Sequence, residues 1–186
     1  MKKIIAFLGS PRKNGYSNQL IKHVLEGAKA AGAEVVVYDL NDKAVRGCQG
    51  CFYCRSHEGC ATKDALQPMY EDIKAADGIV AGFPIYFGTV SGQAKLWLDR
   101  LYPMLGEGHK PRYPGKQVVT IYAQANGDNQ LFSNAIETNN RFFEMCGWNL
   151  AESLLVYGDV APDFTLPKEL IDRAYETGKQ LVLSDG

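Results

Sequence analysis

An excess of charge of one sign is missing from this sequence. Twenty Lys and Arg stand against 21 Asp and Glu, a formal net charge of -1, so no overall field gathers nucleic acid or an anionic membrane, and a polyanion has to be held locally. Long apolar runs are missing too: none approaches the roughly 18 residues of a membrane-spanning helix. The chain begins Met1-Lys2-Lys3 and continues with an apolar run to Leu8, but Gly9-Ser10-Pro11-Arg12-Lys13 follows at once. That cuts the run below the roughly 7–15 apolar residues of a secretory signal. Five cysteines in 186 residues are too few for a disulfide scaffold. With 46% hydrophobic and 22% charged residues, disordered and fibrous classes are excluded as well. What remains is one globular domain over 1–186, with neither nucleic acid nor membrane as partner. Its expected place is the cytoplasm, where thiols stay reduced and clustered cysteines point to metal or redox chemistry.

What is present is an alternation of two periods. Apolar runs rich in β-branched residues predict strands over 3–8, 34–40, 78–83, 117–123 and 149–157. Helical spacing predicts a helix that starts at Ser17 and is ended by Gly32, then helices over 64–76, 90–105, 130–146 and 166–183. Pro84 is read as stopping the third strand. Residues 106–115 are a turn-rich connector, and 41–63 carry neither period, forming a long loop of the kind that is usually functional.

Strands joined by helices imply parallel pairing, because parallel neighbours need a crossover. Short apolar strands imply a sheet covered on both faces. The expected fold class is therefore α/β: a doubly wound five-stranded parallel sheet in the order 2-1-3-4-5, with helices on both faces and a cysteine-rich loop at about 41–63. Ligands of such sheets sit outside the carboxyl ends of the strands, at the switch between strands one and three. The loops after Leu8, Phe83 and Ala123 are the ones to read.

The first of these, running from Gly9 to Asn18, leads from a strand into a helix. N–H groups at a helix start, with its positive dipole end, suit a phosphate dianion. Ser10, Ser17 and Asn18 offer neutral donors, Asn14 a further amide and Arg12 a charge-assisted donor. A Walker loop requires G-x-x-x-x-G-K-[ST], which the spacing of Gly9 and Gly15 and the missing Lys-Ser pair exclude. The dinucleotide fingerprint G-x-G-x-x-G is absent as well, and Asp39 at the end of strand two reads as a turn residue. A helix cap beside a solvated basic turn is the plainer account of the same loop.

Cys48-x2-Cys51-x2-Cys54-x5-Cys60 supplies four thiols within one loop. Cysteines spaced by two residues wrap one face of a cubane cluster, as in bacterial ferredoxin runs, and a fourth completes an all-thiolate set. The parallel is partial, because in ferredoxins the fourth cysteine of the run serves another cluster. Zinc also accepts four cysteines, or three with His57, although structural zinc sites usually pair two separated knuckles. A loop that holds no metal and packs near a cofactor or an interface is the third reading. Cys146, near the end of a helix, reads as a buried small hydrophobe, and His23 and His109 as isolated and solvated.

The segments Gly9-Ser10-Pro11-Arg12-Lys13-Asn14-Gly15, Cys48-Gln49-Gly50-Cys51-Phe52-Tyr53-Cys54 and Phe83-Pro84-Ile85-Tyr86-Phe87-Gly88 together resemble the flavodoxin-fold NADPH-dependent FMN reductases. Within that family the chain is most similar to the iron-sulfur flavoproteins, over essentially its whole length. The resemblance implies FMN as cofactor, its phosphate in the first loop and its ring against Pro84, Ile85, Tyr86, Phe87 and Gly88, whose backbone can meet the flavin's polar edge. Gln124, Asn126 and Gly127 would then lie at the other side of the ring. Cys48, Cys51, Cys54 and Cys60 match the ligand positions of a 4Fe-4S cluster. Lys95, Asp99 and Arg100 match a pattern in the family's third helix. Lys95 and Asp99 read here as an i,i+4 surface pair worth a few tenths of a kcal/mol, and all three stay outside the expected site. NAD(P)H is the implied electron donor, a quinone, free flavin, oxygen species or protein the acceptor, and a homodimer or dimer of dimers the assembly. The contrasting function is a non-enzymatic flavodoxin-like electron carrier, a role served by strong charge asymmetry that this near-neutral chain lacks. A phosphate-binding module without flavin is a further alternative.

Overall fold

Along β1 (Lys3–Leu8), Ile4 and Ala6 pack to one side of the sheet and Ile5 and Phe7 to the other, all without solvent exposure. Successive side chains of a strand point to opposite faces, and burial of both sets means that both faces are covered. The computed structural model describes residues 1–158 and 164–184. After β1 come α1 (Tyr16–Ala30), β2 (Glu34–Asp39), α2 (Tyr53–Ser56), α3 (Met69–Ala75), β3 (Gly78–Tyr86), β4 (Thr89–Val90) and α4 (Gly92–Asp99). Two single 3-10 turns, Tyr102–Met104 and Glu107–His109, lead to β5 (Gln117–Ala123), α5 (Ser133–Met145), β6 (Asn149–Val156) and α6 (Lys168–Leu183).

The long strands are parallel and ordered β2-β1-β3-β5-β6, which is the expected 2-1-3-4-5 once the two-residue β4 is set aside. One face is closed by α1 and α6, whose Leu20, Ile21, Val24, Ala174 and Leu181 meet Ile4, Ala6, Val80 and Ile121. The other is closed by α3, α4 and α5 around an aromatic stack in which Phe7 and Trp97 lie 4.2 Å apart, with Phe143 and Trp148 beyond. No helix among the described residues is long and apolar enough to cross a membrane.

Several boundaries differ from the sequence reading. Pro84 does not stop β3. It lacks an N–H, but it stays in register with Ala123, its carbonyl accepts the Ser91 N–H at 2.9 Å, and Ile85 and Tyr86 pair antiparallel with Val90 and Thr89. The sheet thus has a sixth, short strand. The helix expected over 64–76 begins only at Met69, after turns in which Asp64 Oδ1 accepts the Leu66 N–H at 3.1 Å and the Gln67 and Met69 N–H groups each donate three residues back. The helix expected to 105 ends at Asp99 and gives way to a 3-10 turn containing Pro103. The cysteine loop holds a single helical turn, α2.

Close approach at the head of the sheet is allowed by Gly9. Its N–H donates to the Gly82 carbonyl at 3.0 Å, and a Cβ there would sit 2.2 Å from that oxygen. The fully buried Ser91 caps α4 by accepting the Ala94 N–H at 3.2 Å and donates to the Gly9 carbonyl at 2.6 Å. The first loop is therefore tied to β3 on one side and to α4 on the other.

Candidate functional site

The loops after β1, β3 and β5 meet in one cleft of about 90 Å³. Ser10, Arg12, Gly15, Tyr16 and Ser17 line it from the first loop, Pro84, Ile85 and Tyr86 from β3, and Ala123, Gln124 and Ala125 from the end of β5. This is the crest of the sheet at its switch point, where the topology places ligands. Ser10 and Ser17 are buried there, and Ser10 Oγ accepts the Arg12 N–H at 3.2 Å, shaping the turn. Arg12 itself is exposed, and its guanidinium has no partner among the described residues.

Three buried polar atoms around this cleft and its first loop have no partner among the described residues: Ser17 Oγ, Asn18 Oδ1 and Gln124 Oε1. A buried polar atom left unpaired costs about 1–3 kcal/mol. Ser17 and Gln124 belong to the lining of the cleft, where a polar ligand or water would satisfy them. The Ser17 hydroxyl, on the first turn of α1 with the helix N–H groups beside it, fits a phosphate. Gln124 holds the next turn by donating to the carbonyls of Asn126 at 3.2 Å and Asp128 at 2.7 Å, which leaves its oxygen to accept.

Other expected site residues occupy different places. Asn18 spends its amide on the carbonyls of Ser10 at 3.5 Å and Arg12 at 3.2 Å, so it braces the loop from beneath. Asn14 is exposed and lines a separate depression with Gln19 and His23. Asn126 and Gly127 are exposed, and the Asn126 side chain closes its own turn by accepting the Asp128 N–H at 2.8 Å. Phe87 and Gly88 form the two-residue turn between β3 and β4 with φ of 52° and 87°. Hairpins of this length favour positive φ at both positions, which glycine and asparagine adopt readily and phenylalanine does not. Phe87 is held in that conformation with its ring fully in solvent.

The cysteine loop builds a second cavity of about 230 Å³, lined by Cys48, Cys51, Cys54 and Cys60 together with Arg100, Asp99 and Tyr102. All five cysteines are unpaired; Cys48 and Cys51 are exposed, while Cys54 and Cys60 are half-buried. Burial pushes the Cys54 thiol up. Burial would raise Cys60 too, but the N–H and hydroxyl of Thr62, the charge of Arg100 and the Tyr70 hydroxyl together hold it below the ordinary thiol value. Among the described residues no three His, Cys, Asp or Glu side chains are gathered where they could hold one metal ion. Donors around the rim of a cavity suit a group with bulk of its own, and an all-thiolate donor set is the one iron-sulfur clusters use.

The residue that sequence reasoning missed is Arg100. Left out of the expected site, it is fully buried, with Asp64 at 2.6 Å. The signal was its spacing, three residues from the buried Trp97 and four from the buried Met104, which continues the inner stripe of α4 just past its end at Asp99. Lys95 and Asp99 do form the exposed i,i+4 pair expected of them. Cys146 is buried as expected, and burial pushes its thiol up to about 11. The two histidines are not isolated: His23 Nδ1 lies 3.0 Å from Glu26, and the exposed His109 lies 2.6 Å from Arg55.

A family model described as NADPH-dependent FMN reductase matches residues 2–153. The chain belongs to the NADPH-dependent FMN reductase family. An iron-sulfur flavoprotein of Methanocaldococcus jannaschii is 33% identical over 160 residues, 86% of this chain and 78% of the relative. Among solved structures, an NAD(P)H:quinone oxidoreductase from Methanothermobacter marburgensis superposes with a TM-score of 0.73 at 16% identity, covering 97% of this chain and 98% of the other. Oxidised flavodoxin 1 from Bacillus cereus gives 0.64 at 14% identity, covering 98% and 97%. At such identities these two likenesses establish the flavodoxin-like fold. Family membership makes the protein an FMN-dependent oxidoreductase that uses NAD(P)H.

Proposed function

We propose that FMN lies across the cleft of the first crest, its phosphate at the first turn of α1 and its ring along Pro84, Ile85, Tyr86, Phe87 and Gly88. The observation that supports this most is the pair of buried, unpartnered atoms, Ser17 Oγ and Gln124 Oε1, at opposite sides of one cleft. Ser17 and Arg12 would hold the phosphate, and Ser10 and Asn18 keep the loop in shape. The backbone of the β3–β4 hairpin would meet the flavin's polar edge, with Gln124, Asn126 and Gly127 beyond the ring. When bound, FMN accepts a hydride from NAD(P)H and returns the electrons to an acceptor.

The acceptor is a quinone, a flavin or another small molecule or protein reaching the open side of the hairpin, where Tyr86 and Phe87 are exposed. Cys48, Cys51, Cys54 and Cys60 would hold a 4Fe-4S cluster, which supplies one-electron transfer. The names of the Methanocaldococcus relatives and the shared cavity support it. A reducing, cytoplasmic setting suits five unpaired thiols. A homodimer or dimer of dimers is supported by the half-exposed Tyr102, Phe142 and Met145, which line a groove of about 320 Å³ between α4 and α5.

Anaerobic stopped-flow mixing with NADH and with NADPH tests the reading. The flavin band should bleach within the mixing series and recover when a quinone or free flavin is added. A flavin that stays oxidised at saturating donor would leave the electron-carrier role instead.

A further inference from the structure

Arg100 has five N–H groups and all five are used. Nε donates to the Tyr70 hydroxyl at 3.1 Å, Nη1 to the Arg46 carbonyl at 2.7 Å and to Asp64 at 2.6 Å, and Nη2 to the Thr62 carbonyl at 3.3 Å and to Asp64 at 3.0 Å. Asp64 in turn accepts the Arg46 N–H at 2.9 Å and the Leu66 N–H at 3.1 Å. Arg46 lies two residues before Cys48, and Thr62 two residues after Cys60. One fully buried guanidinium therefore fastens both ends of the cysteine loop to each other and to α3 and α4. A second arginine works on the far side: Arg112 Nη2 donates to the carbonyls of Cys54 at 3.1 Å and His57 at 3.3 Å.

Neither contact set is needed merely to end a helix. A buried charge is costly to keep unless it is fully paired, and here it also forms part of the wall of the cavity that the four thiols line. Planar, five-donor geometry is what arginine offers and lysine does not. We propose that Arg100 is a positioning residue for the cysteine loop, with Arg112 as its partner. It closes the loop into a cradle before any metal arrives and turns the positive end of the Arg100–Asp64 pair toward the cavity of the thiols. The proposal rests on the reading of this loop as the cluster site. In that reading the cluster enters a preformed cavity and is not what folds the loop, and the positive end of the pair, nearer the cavity than its carboxylate, favours the more negative, reduced form.

The test is anaerobic reconstitution of the full FMN-loaded chain with ferrous iron and sulfide. Wild type is compared with Arg100→Lys, with the double variant Arg100→Gln, Asp64→Asn, which leaves no carboxylate unpaired, and with Arg112→Gln, which leaves the buried pair intact. The readouts are iron per chain, the rate of iron loss to a chelator, the cluster midpoint potential, and proteolytic cutting of the loop before iron is added. FMN content and circular dichroism report folding. Outer residues that hold ligands typically govern about 10- to 100-fold in metal affinity. Iron loss about 10-fold faster or more is therefore expected from the double variant and from Arg112→Gln, with a more negative potential in the double variant. Arg100→Lys should release iron faster while keeping the potential close to that of wild type. If the double variant does not fold, Arg112→Gln and Arg100→Lys decide by the same readouts. Folded variants that hold iron as tightly as wild type at the same potential would overturn the proposal. Wild type that takes up no iron would instead overturn the cluster reading; the cradle then stands if only the variants are cut in the loop and falls if wild type is cut equally.

Discussion

The crest of the sheet and the cysteine loop are built in opposite ways. At the crest, residues more than a hundred positions apart, Ser10 and Gln124 among them, are brought together by the strand order, and the side chains of these two are held by bonds within their own loops. In the cysteine loop, four thiols lie within thirteen positions, yet what holds them comes from far along the chain, from Arg100 and Arg112. A site assembled by topology needs little beyond the sheet itself. A site written in one short segment needs a clamp, because a long loop has no ladder of its own to fix it.

If the two regions are independent in this way, each can be broken without the other. The largest effect is expected from Cys51→Ser, which should abolish the cluster while leaving FMN bound; iron and flavin analysis of the same preparation checks it, and loss of both would show that the regions are one. Next, Asp64→Ala strands the Arg100 charge in the interior, which typically costs about 3–5 kcal/mol. Denaturant unfolding should register that loss. The same carboxylate gives a pH signature. Burial alone would raise Asp64, but its hydrogen bonds with Arg100, Arg46 and Leu66 hold it below the ordinary carboxylate value. A folded-state pKa below the unfolded one, about 3.9, contributes stability that is present above that value and is lost as pH falls through the folded pKa. Acid unfolding of wild type should accordingly steepen below about pH 4, and Asp64→Asn should flatten that part of the curve.

Smaller effects belong to the crest. Ser17→Ala removes one buried hydroxyl and should weaken FMN binding by about tenfold, the equivalent of about 1.4 kcal/mol, with iron content unchanged. Phe87→Asn puts a residue that tolerates positive φ into the hairpin turn. It should raise thermal stability by about 1 kcal/mol while lowering kcat/KM for the acceptor, which would mark Phe87 as strained for a purpose. A gain in both would mean that the exposed ring contributes nothing to turnover.

Most of the architecture was legible because alternation and helical spacing report burial, and the strand order followed from the alternation of strands and helices. The boundaries that slipped did so where tertiary partners outweighed a local rule: Pro84 stays in the strand because a hairpin continues it, and residues 64–67 form turns because Asp64 serves the clamp. Ser10 and Ser17 of the cleft were readable from a strand-loop-helix context, whereas the inward brace of Asn18 and the outward Asn14 were not, since loop conformation decides them. The gathering of four thiols in one loop was readable from their spacing, and they do line one cavity, whereas a cluster as their occupant came only from the resemblance. Arg100 was missed although its spacing from Trp97 carried a signal, because a charged residue beside a surface pair reads as solvated.

Titration of FMN into the apoprotein, followed by quenching of flavin fluorescence, tests the crest most directly. The expected result is one FMN per chain, competition by inorganic phosphate, and weaker binding when Ser17 is replaced by Ala. Saturable binding that neither phosphate nor the Ser17 substitution disturbs, or no binding at all, would contradict it.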